Sequence, residues 1–267
     1  IFGPVTRELR TKKFMKIIAS IQARLSSSRL PGKVLKEISG KPMLQWQVDR
    51  INKSRLVDEV IVATTTNPVD NRIAQFCEKN KIACFRGSEN DVLQRITDLI
   101  TVNKADIHVE CFGDSPLIDP AIIDEFTGYL IKHQKTLDFV SNSIKTTYPP
   151  GAEVIVYKAE TLIKANELVS KHDPLREHVS LNIYSKPHIF SVENLEAPEH
   201  LYYPELFMEV DTIEDFKVMK FILEQMKNSG QEIFSTSQIV KLLKENPAIS
   251  SINNSVERRW KAFRNDV

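Results

Sequence analysis

The chain has 267 residues and a formal net charge of +1, with 42% hydrophobic and 27% charged residues, which suits one large α/β domain and excludes a disordered chain or a small disulfide-stapled scaffold. The near-balanced charge gives no global attraction to nucleic acid or to an anionic membrane, so neither is expected as a partner. No apolar run is long enough to span a bilayer, no signal-peptide layout is visible, and Cys77, Cys84 and Cys111 lack C-x-x-C spacing; a cytoplasmic protein with reduced, packed thiols is expected.

Residues 1–14 are polar and basic and read as a leader or appended segment. The fold is expected over 15–252, followed by a basic tail, 253–267, that suggests no role. Ile17 to Ile21 is a short β-branched run typical of a buried parallel strand, and Pro42 to Ile51 is a helix opened by its proline. Val60 to Thr64 reads as the next strand, Arg72 to Asn80 as a helix, and Ala83 to Arg86 as a third strand. Asp91 to Gln94 has the form of a capping box that starts a helix reaching Val102. Ile107 to Phe112 is a strand ending at Gly113-Asp114, with a helix from Pro120 to His133 behind it. This alternation predicts a three-layer α/β fold on a mostly parallel sheet.

Between residues 138 and 206 the rhythm breaks. Tyr148-Pro149-Pro150-Gly151 is a turn signal, Val154 to Tyr157 is strand-like, and helices are predicted over Ala159 to Leu168 and Leu175 to Ile183. This excursion supplies apolar residues outside the α/β pattern and is expected to form a small inserted subdomain or dimerisation arm, giving a homodimer. Leu206 to Val210 is predicted to return to the sheet, with Thr212 capping a helix to about Met226 and another helix spanning Ser235 to Asn246.

The segment after the first strand, Gln22-Ala23-Arg24-Leu25-Ser26-Ser27-Ser28-Arg29-Leu30-Pro31-Gly32-Lys33, combines small residues with three cations at the carboxyl end of a strand. Open α/β sheets bind ligands at that end, and a triphosphate needs backbone N–H donors and fixed positive charge. Ser26, Ser27 and Ser28 allow close backbone approach, Arg24 and Arg29 can grip oxygens in a fork, and Lys33 is a mobile point charge. The loop is neither a Walker A motif nor a dinucleotide fingerprint. Taken alone, the same pattern also fits a solvated surface loop.

Arg24 to Lys33, with Gly40-Lys41-Pro42-Met43-Leu44, resembles the signature of sugar-activating cytidylyltransferases, which make CMP-3-deoxy-manno-octulosonate and CMP-sialic acids, including the branch called spore coat polysaccharide biosynthesis protein F. The likeness continues, in family order, through Val62 to Thr66, Gly87 to Leu93, Gly113 to Ile118, Arg176 to Val179 and Val210 to Asp215. It implies a Rossmann-like nucleotidyltransferase fold and transfer of CMP from CTP to the hydroxyl of an acidic sugar, with Mg2+ as cofactor, for surface polysaccharide or glycoconjugate synthesis. Ile21-Gln22-Ala23-Arg24 departs from the usual Ile-Pro-Ala-Arg, so the sugar's identity does not carry over.

Phosphoryl transfer calls for a divalent ion and hard oxygen ligands. Asp114 and Asp211 each follow an apolar run and are predicted to reach the same crevice as the loop; the resemblance makes them the metal ligands. Arg24, Lys33, Asp114 and Asp211 are therefore the candidate catalytic residues. Gln22, Ala23 and Thr64 to Thr66 are candidate base and ribose contacts. Arg86, Ser88 and Asp91 are candidate nucleotide or sugar contacts, Glu153 a contact to sugar hydroxyls, and Arg176 and His178 receivers of a sugar carboxylate or phosphate. Structural alternatives stand beside each: capping for Ser88, Asp91 and Asp211, a turn for Asp114, a solvent-facing strand position for Glu153, surface ion pairing for Arg176 and His178. His108-Val109-Glu110 superficially matches a zinc deaminase motif but has no Pro-Cys-x-x-Cys partner. Another nucleoside triphosphate as donor, a glycosyltransferase, and a non-catalytic nucleotide-binding protein are the competing functions.

Overall fold

A computed structural model describes residues 15–231 and 233–263. The proposed leader, 1–14, and the last four residues of the tail lie outside the described residues. The strands are β1 (Ile17–Gln22), β2 (Glu37–Ile38), β3 (Lys41–Pro42), β4 (Glu59–Thr65), β5 (Ala83–Gly87), β6 (Ile107–Phe112), β7 (Phe139–Ser141), β8 (Ile155–Lys158) and β9 (Val192–Asn194). The helices are α1 (Met43–Ile51), α2 (Asn71–Lys79), α3 (Val92–Val102), α4 (Pro120–His133), α5 (Ala159–Glu167), α6 (Leu181–Tyr184), α7 (Ile213–Asn228), α8 (Thr236–Glu245) and α9 (Pro247–Ser250).

Seven strands form one sheet in the order β5-β4-β1-β6-β8-β7-β9. Only β8 runs against its neighbours, so the sheet is mostly parallel, as predicted. The reason is visible in β1: Ile17, Ile18, Ala19 and Ile21 have no exposed surface, because helices cover both faces and every side chain must be apolar or paired. One core packs Ile17, Ile21, Val62 and Val109 with Phe126 of α4. Another packs Ile18 and Ile61 with Leu93 and Ile96 of α3 and Leu162 of α5. β1 lies between β4 and β6, so the chain leaves it toward opposite sides of the sheet, and a crevice opens at its carboxyl end.

The helix starts follow their caps. The Asp91 carboxylate accepts from Gln94 N at 2.8 Å, although the Gln94 side chain turns to Asp98 and the box is not reciprocal. Thr212 and Asp215 form a full capping box at α7.

Three expectations are corrected. Leu206 to Val210 forms no strand; its backbone is tied to loops instead, with Met208 N bonding Pro150 O and Val210 N bonding Asp114 O. The stretch Leu175 to Ile183 is a 3-10 turn, Pro174–Glu177, followed by the four-residue α6, because His178 is extended (φ −109°, ψ 144°). Cys84 is exposed at the edge strand β5, whereas Cys77 and Cys111 are buried. The excursion also contributes β7, β8 and β9, of which only β8 had a sequence signal.

Candidate functional site

A cleft opens at the carboxyl ends of β1 and β6, with two adjoining lobes of about 350 and 440 Å3. Gln22, Arg24, Arg29, Asp114, His178 and Asp211 line both lobes. The 23–33 loop is pinned locally. Leu25 N donates to Asp70 Oδ1 at 2.8 Å, Gly32 N closes a turn onto Leu25 O at 3.0 Å, and Gly32 takes φ +69°, a left-handed value that favours glycine. The turn drives the next residue, Lys33, into the protein, where it is 8% exposed.

Lys33 Nζ donates to Val210 O at 2.7 Å and Asp211 Oδ1 at 2.9 Å and lies 3.7 Å from Asp114 Oδ2. Arg29 Nη2 grips the other oxygen of Asp211 at 2.6 Å, and Arg29 Nη1 donates to Glu257 O at 2.9 Å. The two aspartates, 97 positions apart in sequence, are further joined by the Val210 N to Asp114 O bond of 2.8 Å. Desolvation opposes charge on Lys33, but Asp114 and Asp211 overcome it and hold its pKa above the ordinary lysine value. For Asp114 the balance runs the other way. Desolvation first, then repulsion from Asp211, raises its pKa despite Lys33. Gly113 lets β6 close against this point, since a Cβ there would lie 2.8 Å from Gln22 O and 3.1 Å from a Val34 methyl.

Two carboxylates converging on one cation form a donor set that suits a hard divalent ion completed by phosphate oxygens. Among the described residues no group of three or more His, Cys, Asp or Glu side chains could cage a metal. An ion here would depend on Asp114, Asp211 and the substrate.

The remaining candidates divide. Ala23, Ser27 and Ser28 line the lobe beside the loop, and Glu153 lines the other. Arg24 is half exposed and makes a loose 3.8 Å ion pair with Glu177. The structure does not bring six others to the cleft. Ser26 is exposed outside it, and Thr64 is fully buried in β4. Arg86 staples β4 to its following loop through Thr65 O at 2.9 Å and Asn67 O at 3.2 Å. Ser88 accepts from Asp91 N, and Asp91 caps α3 while binding Arg176 Nε at 2.7 Å. Arg176, 4% exposed, is spent on Asp91, Val169 O and Asn166 Oδ1, so it is a buried structural clamp rather than a surface ion pair or a substrate receiver. His178, on extended chain after that clamp, does line both lobes.

Sequence reasoning missed Arg95, Glu110, Glu209, Arg259 and Trp260, all of which line the cleft. Arg95 carried a signal, being four residues after Asp91 on the same helix face. Arg258 to Trp260 belong to the tail to which no role was assigned. Arg258 is buried between Asp215 Oδ1 at 2.8 Å and Glu209 Oε1 at 3.3 Å, and Trp260 Nε1 donates to Glu209 Oε1 at 2.7 Å. Asp215 in turn accepts from Asp211 N at 3.0 Å, so the tail helps set the position of Asp211. Burial opposes charge on Asp215, yet Arg258, Asp211 N and Asn253 together hold its pKa below the usual carboxylate value.

The profile of a family described as cytidylyltransferase matches residues 18–255. An uncharacterised protein of Methanocaldococcus jannaschii is 37% identical over 250 residues, covering 94% of this chain and 98% of that protein. The spore coat polysaccharide biosynthesis protein SpsF of Bacillus subtilis is 31% identical over 86% of this chain and 95% of its own length. Among solved structures, a cytidylyltransferase from Leptospira borgpetersenii superposes with a TM-score of 0.82 at 28% identity, covering 92% of this chain and all of that one.

Proposed function

The chain belongs to the cytidylyltransferase family, and from that premise we propose that it transfers CMP from CTP to the hydroxyl of a sugar and releases pyrophosphate. The observation that carries this reading is the position of Lys33 Nζ, within 4 Å of both Asp114 and Asp211, beneath a cationic loop at the carboxyl end of β1. The acceptor hydroxyl attacks the α-phosphorus, the new O–P bond forms as the bridging bond to the β-phosphate breaks, and the hydroxyl proton is released. Arg24, Arg29 and Lys33 neutralise charge on the departing pyrophosphate, while Ser27 and Ser28 let the backbone come close to its oxygens. Gln22 and Ala23, at the end of β1, border the base and ribose. Asp114 and Asp211 would hold Mg2+, which supplies Lewis-acid polarisation of the phosphate when bound.

The acidic sugar implied by resemblance would place its acid group at the mouth shared by the two lobes, near His178 and Arg259, because Arg176 is occupied elsewhere. Glu153, in the second lobe, is placed to meet the acceptor. A homodimer through residues 138–206 is part of the same proposal. Leu168, Leu175 and Tyr202 of that excursion are exposed large apolar side chains. No helix among the described residues is long and apolar enough to cross a membrane.

The test is calorimetric titration of the full chain with each of four nucleoside triphosphates in Mg2+, followed by pyrophosphate release with a panel of sugar acids. Preferential CTP binding and sugar-dependent pyrophosphate release are expected. Absence of nucleotide binding contradicts the assignment.

A further inference from the structure

Arg95, on α3, lines the loop-side lobe and not the second one. It is 4% exposed. Its Nη1 donates to Ser88 O, its Nε is buried with no hydrogen-bond partner, and it forms no ion pair among the described residues. Lys33 and Arg29 of the same lobe differ in this respect, since each is held by Asp211.

The acids around Arg95 are committed elsewhere. Asp91, four residues earlier on the same helix face, is the expected partner, but its oxygens serve Gln94 N at 2.8 Å and Arg176 Nε at 2.7 Å. Asp70 accepts from Leu25 N at 2.8 Å and from the Thr65 hydroxyl, and Glu89 accepts from Asn67 Nδ2 at 2.7 Å. Asp70, Glu89 and Asp91 ease the charge on Arg95 from a distance, yet burial first, and then the charge of Arg24, hold its pKa below the ordinary arginine value. The guanidinium stays protonated all the same. The fold also makes room for it. A Cβ on Gly87, at the end of β5, would lie 2.7 Å from Arg95 Cγ, so the missing side chain is what lets the arginine stem pass toward the cleft.

A buried guanidinium that repels a neighbouring arginine and is held by one neutral oxygen is costly until an anion reaches it. A base carbonyl or a ribose hydroxyl would add a hydrogen bond but no counter-charge. A phosphate oxygen supplies both, and it lets Arg24 and Arg95 share one anion. We propose that Arg95 is a further phosphate-binding residue, which grips the nucleotide's triphosphate together with Arg24 from the α3 side of the lobe. This inference rests on the reading of the loop-side lobe as the triphosphate site of a cytidylyltransferase. A sugar acid is the weaker occupant, because Arg95 does not line the lobe assigned to the acceptor.

The test is calorimetric titration of the full chain with CTP, inorganic triphosphate and cytidine in Mg2+, in wild type, Arg95→Gln and Arg95→Lys. Arg95→Gln is expected to weaken CTP and inorganic triphosphate about 10-fold each, as for the loss of one charged hydrogen bond, and to leave cytidine unaltered. Arg95→Lys, which keeps the charge and most of the stem, should recover part of the lost affinity and guards against a folding defect in the first variant. Unaltered affinity for inorganic triphosphate in Arg95→Gln overturns the proposal. So does a loss for cytidine equal to that for CTP, which is the mark of a base contact or of a purely structural staple to Ser88. The wild-type titration separates the two claims: CTP that binds without regard to Arg95 defeats only this inference, whereas absent CTP binding defeats the cytidylyltransferase reading itself.

Discussion

The loop-side lobe and the acceptor lobe are built in opposite ways. The first is built around one continuous segment, residues 22–33, closed by α3, the end of β6 and Asp211, and the loop's charges are matched within the protein: Lys33 and Arg29 against Asp211, Lys33 against Asp114. The second is assembled by β6, the turn after Pro150, the 206–210 stretch and the tail beyond Asn253, whose Arg258 pairs with Glu209 at 3.3 Å. On the proposed function, such matched charges would let a magnesium–triphosphate pair replace one cation with another.

The largest expected effect comes from the link between the lobes. Arg258→Ala leaves Asp215 and Glu209 buried without their cation, and losing one partner of a buried pair costs about 3–5 kcal/mol. Thermal unfolding should show that loss, and an unchanged melting temperature would mean that the tail only drapes over the surface. Next, Lys33→Ala or Arg24→Ala should lower turnover by about 10²-fold if each meets charge that develops in the transition state. Pyrophosphate-release rates near wild type in both variants would remove the loop from the chemistry.

A smaller effect separates the lobes by pH. Glu110 has a folded pKa of about 8, against an unfolded value of about 4.3. Between those values the folded state keeps a proton that the unfolded chain has lost, so this contribution to stability is present at low pH and fades as pH rises through the window. Glu110→Gln should flatten the decline, seen as a shallower fall in denaturation midpoint from acidic to mildly alkaline buffer. An unchanged slope would show that Glu110 is ionised in the folded protein. The smallest effect is expected at Ser26, exposed and outside the cleft. Ser26→Ala should stay within about 0.5 kcal/mol in stability and leave CTP binding unaltered. A marked loss of CTP affinity would extend the phosphate grip to the whole serine run.

The contrast also explains what could be read from sequence. β1, β4, β6 and the helices between them were legible, because burial on both faces forces apolar runs and local caps such as Asp91 and Thr212 mark the helix starts. Lys33 was legible as a cation of the small-residue loop that follows β1, and Asp114 and Asp211 because each follows an apolar run, even though the run before Asp211 is not a strand. Arg176 was not. Its partner Asp91 lies 85 positions away, and a buried clamp looks the same in sequence as a surface cation. Glu110 was hidden inside a strand where alternation promised only core, and Arg258 to Trp260 follow the last clear helix with no periodicity to place them. Tertiary closure, not local pattern, makes these residues part of the cleft.

The most direct measurement of the central claim is the affinity of the full chain for CTP and for CMP in Mg2+, in wild type and in Lys33→Ala. A grip on the triphosphate predicts that wild type binds CTP much more tightly than CMP and that the gap collapses in the variant. Equal affinity for the two nucleotides in wild type, or a gap that survives the loss of Lys33, would contradict it.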